Sequence, residues 1–313
     1  MKNKKVLVTG GAGFIGSNLV RRLIETGNSV TVLDNFMSGY RSNLDPFPTV
    51  QIIEGDVRDK KAVSASMRGV EIVFHSASSV GNKRSIDHPI TDAEINVIGT
   101  LQVLEAARKE GVRKIVVSSS AGIFGELKTM PIKEDHPIEP DSPYGCSKLY
   151  EEKICLAYAK LYEIEAVALR YFNVYGPNQR FDAYGNAIPI FVFRMLQNQN
   201  LLIYGDGEQT RDFVHVDDVV QANIKAADSI GVSGAFNIAS GKRVTINRLV
   251  EMITKDNGNS IKIEHGPQRP GDVLHSLADL TLAFQRINYT PLKGLEEGIE
   301  EYVKWAKKST TQI

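Results

Sequence analysis

Along the first half of the chain, short apolar runs alternate with longer stretches of helical period. Val6-Leu7-Val8-Thr9 reads as a buried strand. Leu19, Val20, Leu23 and Ile24 then fall on one face of a helix that ends near Gly27. Residues 29–33 read as the next strand, ending in Asp34, and residues 50–54, 71–75 and 114–117 as further strands. A long helix is predicted over 92–109, with Ile95, Ile98, Leu101, Val103 and Leu104 as its apolar positions. Strands alternating with helices predict an α/β fold with a doubly wound parallel sheet covered on both faces. Such sheets take ligands at the carboxyl ends of their strands. The polar clusters at Asp34, Asp56, Ser76 to Ser79 and Ser118 to Ser120 all fall there.

Pro143 at a helix start, followed by the helix formers of residues 149–160, predicts a helix that begins at Tyr144. Residues 165–169 form another strand. Residues 202–204 are a strand running into the turn Gly205-Asp206-Gly207, and residues 244–253 and 295–306 have the period of core helices. The division expected is residues 1–170 as the sheet domain. Residues 171–313 form mainly a smaller C-terminal substrate-binding domain, interleaved with the first.

Composition narrows the function classes. With 37 basic and 37 acidic residues among 313, nothing points to a polyanion surface. Two cysteines, Cys146 and Cys155, make no disulfide framework, and no histidine pair has metal-ligand spacing, so no metal is expected. No apolar run has the length of a membrane span and no leader pattern precedes the first strand; the expectation is a cytoplasmic protein.

Two stretches carry chemistry. The first is Gly10-Gly11-Ala12-Gly13-Phe14-Ile15-Gly16, between a strand and a helix. Glycines there let backbone approach a pyrophosphate, and the helix start offers amides and a positive dipole end. Asp34 lies 18 residues beyond Gly16, near the spacing of a ribose-binding acid, and would repel a 2′-phosphate, which favours NAD over NADP. This setting makes the fold Rossmann-like. The second stretch is Tyr144-Gly145-Cys146-Ser147-Lys148. Four residues apart, the phenol and the ammonium share a helix face. The ammonium favours the phenolate, so the tyrosine is expected to have a lowered pKa and to take a proton from a substrate hydroxyl. A lone pair at this spacing is more often a buried tyrosine beside a solvated lysine; its context gives it weight.

Gly10-x-x-Gly13-x-x-Gly16, the serine run ending at Ser120 and Tyr144-x-x-x-Lys148 together resemble the extended short-chain dehydrogenase/reductase family. Within it they resemble the nucleotide-sugar 4-epimerases, from about Lys5 to about Trp305. The resemblance implies Tyr144 as proton acceptor and donor, Lys148 on the nicotinamide ribose, and Ser120 on the sugar 4-oxygen. It implies NAD as cofactor, with Gly10, Gly13, Phe14, Ile15 and Gly16 on the pyrophosphate. Asp34 and Asn35 would meet the adenosine ribose, and Asp56 and Val57 the adenine. Ser38, Gly39, Ala77, Ser78, Ser118, Tyr171 and Phe172 would also contact the cofactor, and Asn96 would fix the region of Ser120. A UDP-sugar would meet Ser79, Arg84, Ser120, Tyr144, Asn173, Ala187, Ile188, Ile203, Tyr204, Arg211, Arg269, Asp272 and Ser276. Arg211 and Arg269 would be the forks on the diphosphate. Members usually form homodimers through two helices, here about 92–109 and 144–162; the mixed outer faces of these segments do not establish the dimer.

Related 4,6-dehydratases carry Thr-Asp-Glu where this chain has Ser120-Ala121-Gly122, and elimination of water needs that second acid and base. Related decarboxylases carry glutamate at Gly122. What remains is reversible oxidation at carbon 4 through a transient 4-keto sugar. Ser276 lies seven residues after Arg269, where members restricted to glucose and galactose carry a bulky tyrosine. The small serine leaves room for an N-acetyl group, so UDP-N-acetylglucosamine is the expected substrate, with UDP-glucose and UDP-glucuronate as alternatives. A remote alternative is a non-catalytic NAD-binding protein. The chain departs from its relatives at Phe124, usually tyrosine, and at Ser78 and Ser79, usually small and apolar.

Overall fold

The structure, a computed structural model, describes residues 1–181, 186–255, 261–268 and 273–310. These form the strands β1 (Lys5–Thr9), β2 (Ser29–Asp34), β3 (Gln51–Glu54), β4 (Ile72–His75), β5 (Lys114–Ser120), β6 (Glu165–Tyr171), β7 (Asn173–Tyr175), β8 (Leu201–Tyr204), β9 (Thr210–His215), β10 (Gly234–Ile238), β11 (Arg243–Thr245) and β12 (Ile263–Gly266). Seven make one parallel sheet in the order β10-β6-β5-β4-β1-β2-β3. The winding reverses between β1 and β4, and a doubly wound sheet opens a crevice at that switch point.

Alternation along the strands feeds two cores. Val6, Val8, Phe74 and Val116 pack with Leu19, Leu23, Val219 and Ala226, under helices Phe14–Glu25 and Val216–Asp228. Leu7, Val73, Ile115 and Val117 face the other way, onto Val103, Leu104, Cys155 and Tyr158 of helices Thr100–Glu110 and Pro143–Leu161. The parallel, doubly wound α/β fold expected from the apolar pattern is present. β10 and helix Val216–Asp228 come from the second half of the chain yet complete this lobe. The smaller lobe holds the sheet β11-β9-β7, the parallel pair β12-β8, and a core of Ile188, Phe191, Leu201, Ile203, Leu249 and Tyr302.

Three elements differ from their predicted form. The helix expected at 92–109 starts earlier and changes pitch: Pro89–Ala93 and Thr100–Glu110 are α-helical, and Glu94–Gly99 between them is a π-turn. The wider turn shifts the backbone ladder, and Thr100 Oγ1 donates to the Asn96 carbonyl at 2.6 Å. Of residues 244–253, Val244 belongs to a strand and pairs with Arg211; the helix Ile246–Thr254 begins only after Thr245, whose hydroxyl accepts from Arg248 N. Ser118 to Ser120 continue β5 instead of ending it, since β6 runs alongside as far as Tyr171. No helix among the described residues is long and apolar enough to cross a membrane.

Helix Pro143–Leu161 is fastened to the sheet by charge. Arg170 on β6 is buried; its Nε and Nη2 donate to the two carboxylate oxygens of Glu152 at 2.9 and 2.7 Å. Its Nη1 donates to the Glu134 carbonyl at 2.8 Å, and Ser119 Oγ donates to Glu152 at 3.0 Å. Removing one partner leaves the other charge unpaired without water. Arg170→Met is expected to cost about 3–5 kcal/mol, and Glu152→Gln added to it to restore part of that. Urea unfolding midpoints test this; a cost for Arg170→Met below about 1 kcal/mol, the range of an exposed pair, would refute it.

Candidate active site

The crevice at the switch point begins with the glycine turn. Gly10 has φ +69°, and a Cβ there would lie 2.7 Å from Ala77 N; one on Gly16 would lie 2.1 Å from the Gly10 carbonyl oxygen. Helix Phe14–Glu25 starts at Gly13 with no side-chain cap and no acid in its first turn. Its first amides therefore face an anion site uncontested. At the end of β2 the buried Asp34 accepts from Ala12 N at 2.9 Å and Phe36 N at 2.8 Å, which fixes the loops on either side. Asn35 Nδ2 donates to Asp56 at 2.7 Å, and Arg58 holds Asp56 down to about 2. A dinucleotide fits on both counts: backbone comes close where a side chain would clash, and unmet amides point where a pyrophosphate would lie.

The cavity continues from there, about 1000 Å³ in all, to Ser120, Tyr144 and Lys148. Ser142 caps helix Pro143–Leu161 by accepting from Gly145 N at 3.1 Å, and Pro143 occupies the first turn. Tyr144 therefore sits where the helix begins, its amide donating to Ser85 Oγ at 3.0 Å. Ser120 stands beside the Tyr144 phenol, and its hydroxyl accepts from Gly122 N at 3.0 Å. The Lys148 ammonium is buried and donates to Ser78 Oγ at 3.3 Å and to Glu151. The expected fall in the Tyr144 pKa is not found in the protein alone. Burial pushes the phenol up; the Lys148 charge and the Ser120 hydrogen bond pull it down without overcoming that. Spacing along the helix reveals the ammonium but neither the desolvation of the phenol nor the carboxylate behind Lys148.

Most of the predicted cofactor residues line this cavity: Gly10, Gly13, Phe14, Ile15, Gly16, Asp34, Asn35, Ser38, Gly39, Asp56, Val57, Ala77, Ser78, Ser118, Tyr171 and Phe172. Asn96 acts elsewhere than expected. Its side chain accepts from Ser78 Oγ and Ser79 N, both at 2.8 Å, and donates to Ser79 O and Ser147 Oγ, both at 3.0 Å. It therefore joins the loop after β4 to the tyrosine helix. On the substrate side Arg84, Asn173, Arg211 and Ser276 reach the cavity. Ala187, Ile188, Ile203, Tyr204 and Ser79 do not line it; Ile188 and Ile203 are fully buried in the small core, and Asn186 and Pro189 take their place on the wall. Helix Ala187–Leu196 turns alternate faces to core and cavity. Arg269 and Asp272 lie outside the described residues.

Phe124 is fully buried, edge-on to His136 at 5.4 Å and beneath the Arg170 guanidinium at 5.2 Å. Its ring belongs to the packing behind the site. Sequence reasoning missed Asn178 and Arg180, which line the cavity; Asn178 has φ +70°, and the Gly176-Pro177-Asn178 turn was the available signal. It also missed Glu151, one helical turn beyond Lys148. Among the described residues one histidine–carboxylate group has ligand atoms within 4.8 Å, His215, Asp217 and Glu301. Arg21 and Lys293 pair with its carboxylates at 2.9 and 3.0 Å, and none of the three lines the cavity.

Comparison with known proteins gives the same picture over the full length. The model of the NAD dependent epimerase/dehydratase family matches residues 6–239. A putative UDP-glucose 4-epimerase of Methanocaldococcus jannaschii is 40% identical over 97% of this chain and 99% of its own. Among solved structures, a UDP-N-acetylglucosamine 4-epimerase from Methanobrevibacter ruminantium, in complex with UDP-N-acetylmuramic acid, superposes with TM-score 0.94 at 38% identity over 100% of both chains. A UDP-glucose 4-epimerase of Thermotoga maritima with UDP-glucose gives TM-score 0.93 at 38% identity, over 98% of this chain and 99% of that one. Matched from end to end in sequence and in structure, this chain belongs to the NAD dependent epimerase/dehydratase family.

Proposed function

We propose that this protein is an NAD-dependent UDP-sugar 4-epimerase that favours N-acetylated hexoses. The reaction class is supported by what flanks Tyr144. Ala121 and Gly122 lie beside Ser120, and a Cβ on Gly122 would stand 3.3 Å from Ser120 Oγ and 3.7 Å from the Tyr144 ring. No second acid or base stands at these two positions, so elimination has no proton donor there. NAD, when bound, supplies reversible acceptance of hydride from carbon 4 of the sugar. Tyr144 Oη takes the proton of the 4-hydroxyl and later returns it. Ser120 holds the sugar 4-oxygen in line with the phenol, and the Lys148 charge favours the phenolate as it forms. The protein ends each cycle with its cofactor regenerated and needs no second substrate.

The substrate preference rests on one observation. Ser276 is a small side chain held at the cavity wall: its amide donates to the Thr210 carbonyl at 3.1 Å, and His275 Nδ1 lies 3.1 Å from Thr210 Oγ1. Two adjacent residues tied to β9 keep that wall in place, and the serine leaves the space beside it open. Arg211, on the same strand, is positioned for the diphosphate, with its plane steadied by a bond from Nη1 to the Thr210 carbonyl at 3.0 Å. We also propose a homodimer, through exposed Ile90 and Ile98 and exposed Leu161 on the two long helices.

Proton NMR of the anomeric signals, with UDP-N-acetylglucosamine and UDP-glucose in separate tubes and no added reductant, should show both converted and the N-acetyl sugar faster. Conversion of UDP-glucose alone would remove the preference and leave the mechanism. Ser276→Tyr should slow the N-acetyl sugar selectively. Tyr144→Phe should lose at least about 10²-fold in kcat, the span of one proton-transfer group. Turnover within a few-fold of the parent enzyme would exclude Tyr144 as the acid–base group. Light scattering should give twice the 34.5 kDa chain mass, and a monomeric mass removes the dimer.

A further inference from the structure

Glu151 stands directly behind the reacting pair. Its side chain is 1% exposed and that of Lys148 2%, so the two charges meet where water does not reach. Oε2 accepts from the Lys148 ammonium. Oε1 has no hydrogen-bond partner among the described residues and lies 3.7 Å from His75 Nε2. His75 gives it no counter-charge: burial holds that imidazole down to about 3, so it is neutral, and its nitrogens engage Thr9 Oγ1 at 2.7 Å and Thr100 Oγ1 at 3.0 Å. The neighbouring acids have their own bonds. Asp92 accepts from Ser147 Oγ at 2.6 Å, and Glu152 from Arg170. The other titratable groups around it, Tyr144, Tyr171 and Cys155, are all pushed up by burial. Among the described residues Lys148 is thus the one cation bonded to Glu151. A charge this costly to bury and this incompletely bonded is weak support for stability, which leaves its effect on Lys148 to be explained.

The arithmetic of charge gives that effect a sign. An ammonium alone beside Tyr144 favours the phenolate, whereas an ammonium with a carboxylate bonded behind it presents a dipole of much weaker field. We propose that Glu151 is a positioning residue for the epimerase reaction: its buried carboxylate draws the Lys148 ammonium back and offsets its charge, so that the Tyr144 phenol keeps its proton. The proposal rests on Tyr144 as the acid–base group but not on which sugar is bound. The same electrostatics appears from the other side, since burial raises the Glu151 carboxyl to about 7 against the pull of Lys148. The offset therefore weakens as pH falls through neutrality and Glu151 takes up a proton.

The test is to follow the Tyr144 ionisation directly. Protein labelled with 13Cζ-tyrosine is titrated by NMR without substrate, and Tyr144→Phe identifies the signal. Glu151→Gln removes the offsetting charge and should move the Tyr144 midpoint downward by on the order of one pH unit. The acid limb of kcat/KM for UDP-sugar epimerisation should move in the same direction. Glu151→Leu, which fits a dry site without a buried acceptor, should give the same shift and serves if the glutamine variant does not fold. Glu151→Asp, which keeps the charge, should stay nearer the parent. An unchanged or raised Tyr144 midpoint in the folded Gln or Leu variant overturns the proposal, whatever happens to stability. If the midpoint falls while Tyr144→Phe retains full turnover, the electrostatic coupling stands and the catalytic reading of Tyr144 fails.

Discussion

Helix Pro143–Leu161 carries Lys148, Glu151 and Glu152 into an interior that offers them almost no water, and the site depends on how those charges are met. Burial of an unpaired ion costs several kcal/mol, so each charge constrains the rotation and depth of the helix. Glu152 takes the bidentate fork of Arg170 from β6 and a hydroxyl from Ser119 on β5. That triangle locks the helix to the two strands whose ends carry Ser118, Ser120 and Tyr171. Once it is fixed, Tyr144 in the first turn has nowhere to go but the wall of the crevice. The placement of Tyr144 is thus a consequence of packing charge two turns away.

The π-turn at Glu94–Gly99 serves the same end from the neighbouring helix. It brings Asn96 inward, and one amide side chain then bonds both the Ser78–Ser79 loop and Ser147 on the tyrosine helix. Ser78 in turn accepts from Lys148. The two serines after β4 that depart from the small apolar residues of relatives are therefore part of a continuous chain of hydrogen bonds reaching the ammonium. A polar chain of this kind is stiff when every member is satisfied, and the exception here is the outer oxygen of Glu151.

What the sequence made legible follows from period and punctuation. Parallel strands buried on both faces read as apolar runs, and the glycines of the first turn are needed for steric reasons that composition reveals, as the clash at Gly16 bears out. Tyr144 and Lys148 were legible because i and i+4 share a face. The same rule could have exposed Glu151, at i+3 from Lys148, but a glutamate on a charged helix is by default read as solvated. Only the tertiary packing shows that this face is the dry one. The side chains of Ile188 and Ile203 turn into the small core, a direction that the resemblance alone does not reveal. Phe124 stands where relatives usually carry tyrosine, and its ring is packing material behind the site. The pitch change at Glu94 left no mark in the hydrophobic period, because π and α turns differ by less than one residue.

The two lobes reach the one cavity with separate sets of side chains. Ser120, Tyr144 and Lys148 stand on a strand end and a helix of the large sheet, rigid elements fixed by buried charge. Arg211, Asn186, Pro189 and Ser276 reach the same cavity from the small lobe, and Ser276 is placed by backbone bonds to Thr210 that do not depend on its side chain. A substitution at Ser276 can therefore change the room at that wall without moving β9 or disturbing Tyr144. A substitution at Glu152 or Arg170 acts in reverse, moving the helix that carries Tyr144 while the wall at Ser276 stays in place. Tyr144 and the cavity wall at Ser276 are thereby held by separate parts of one chain.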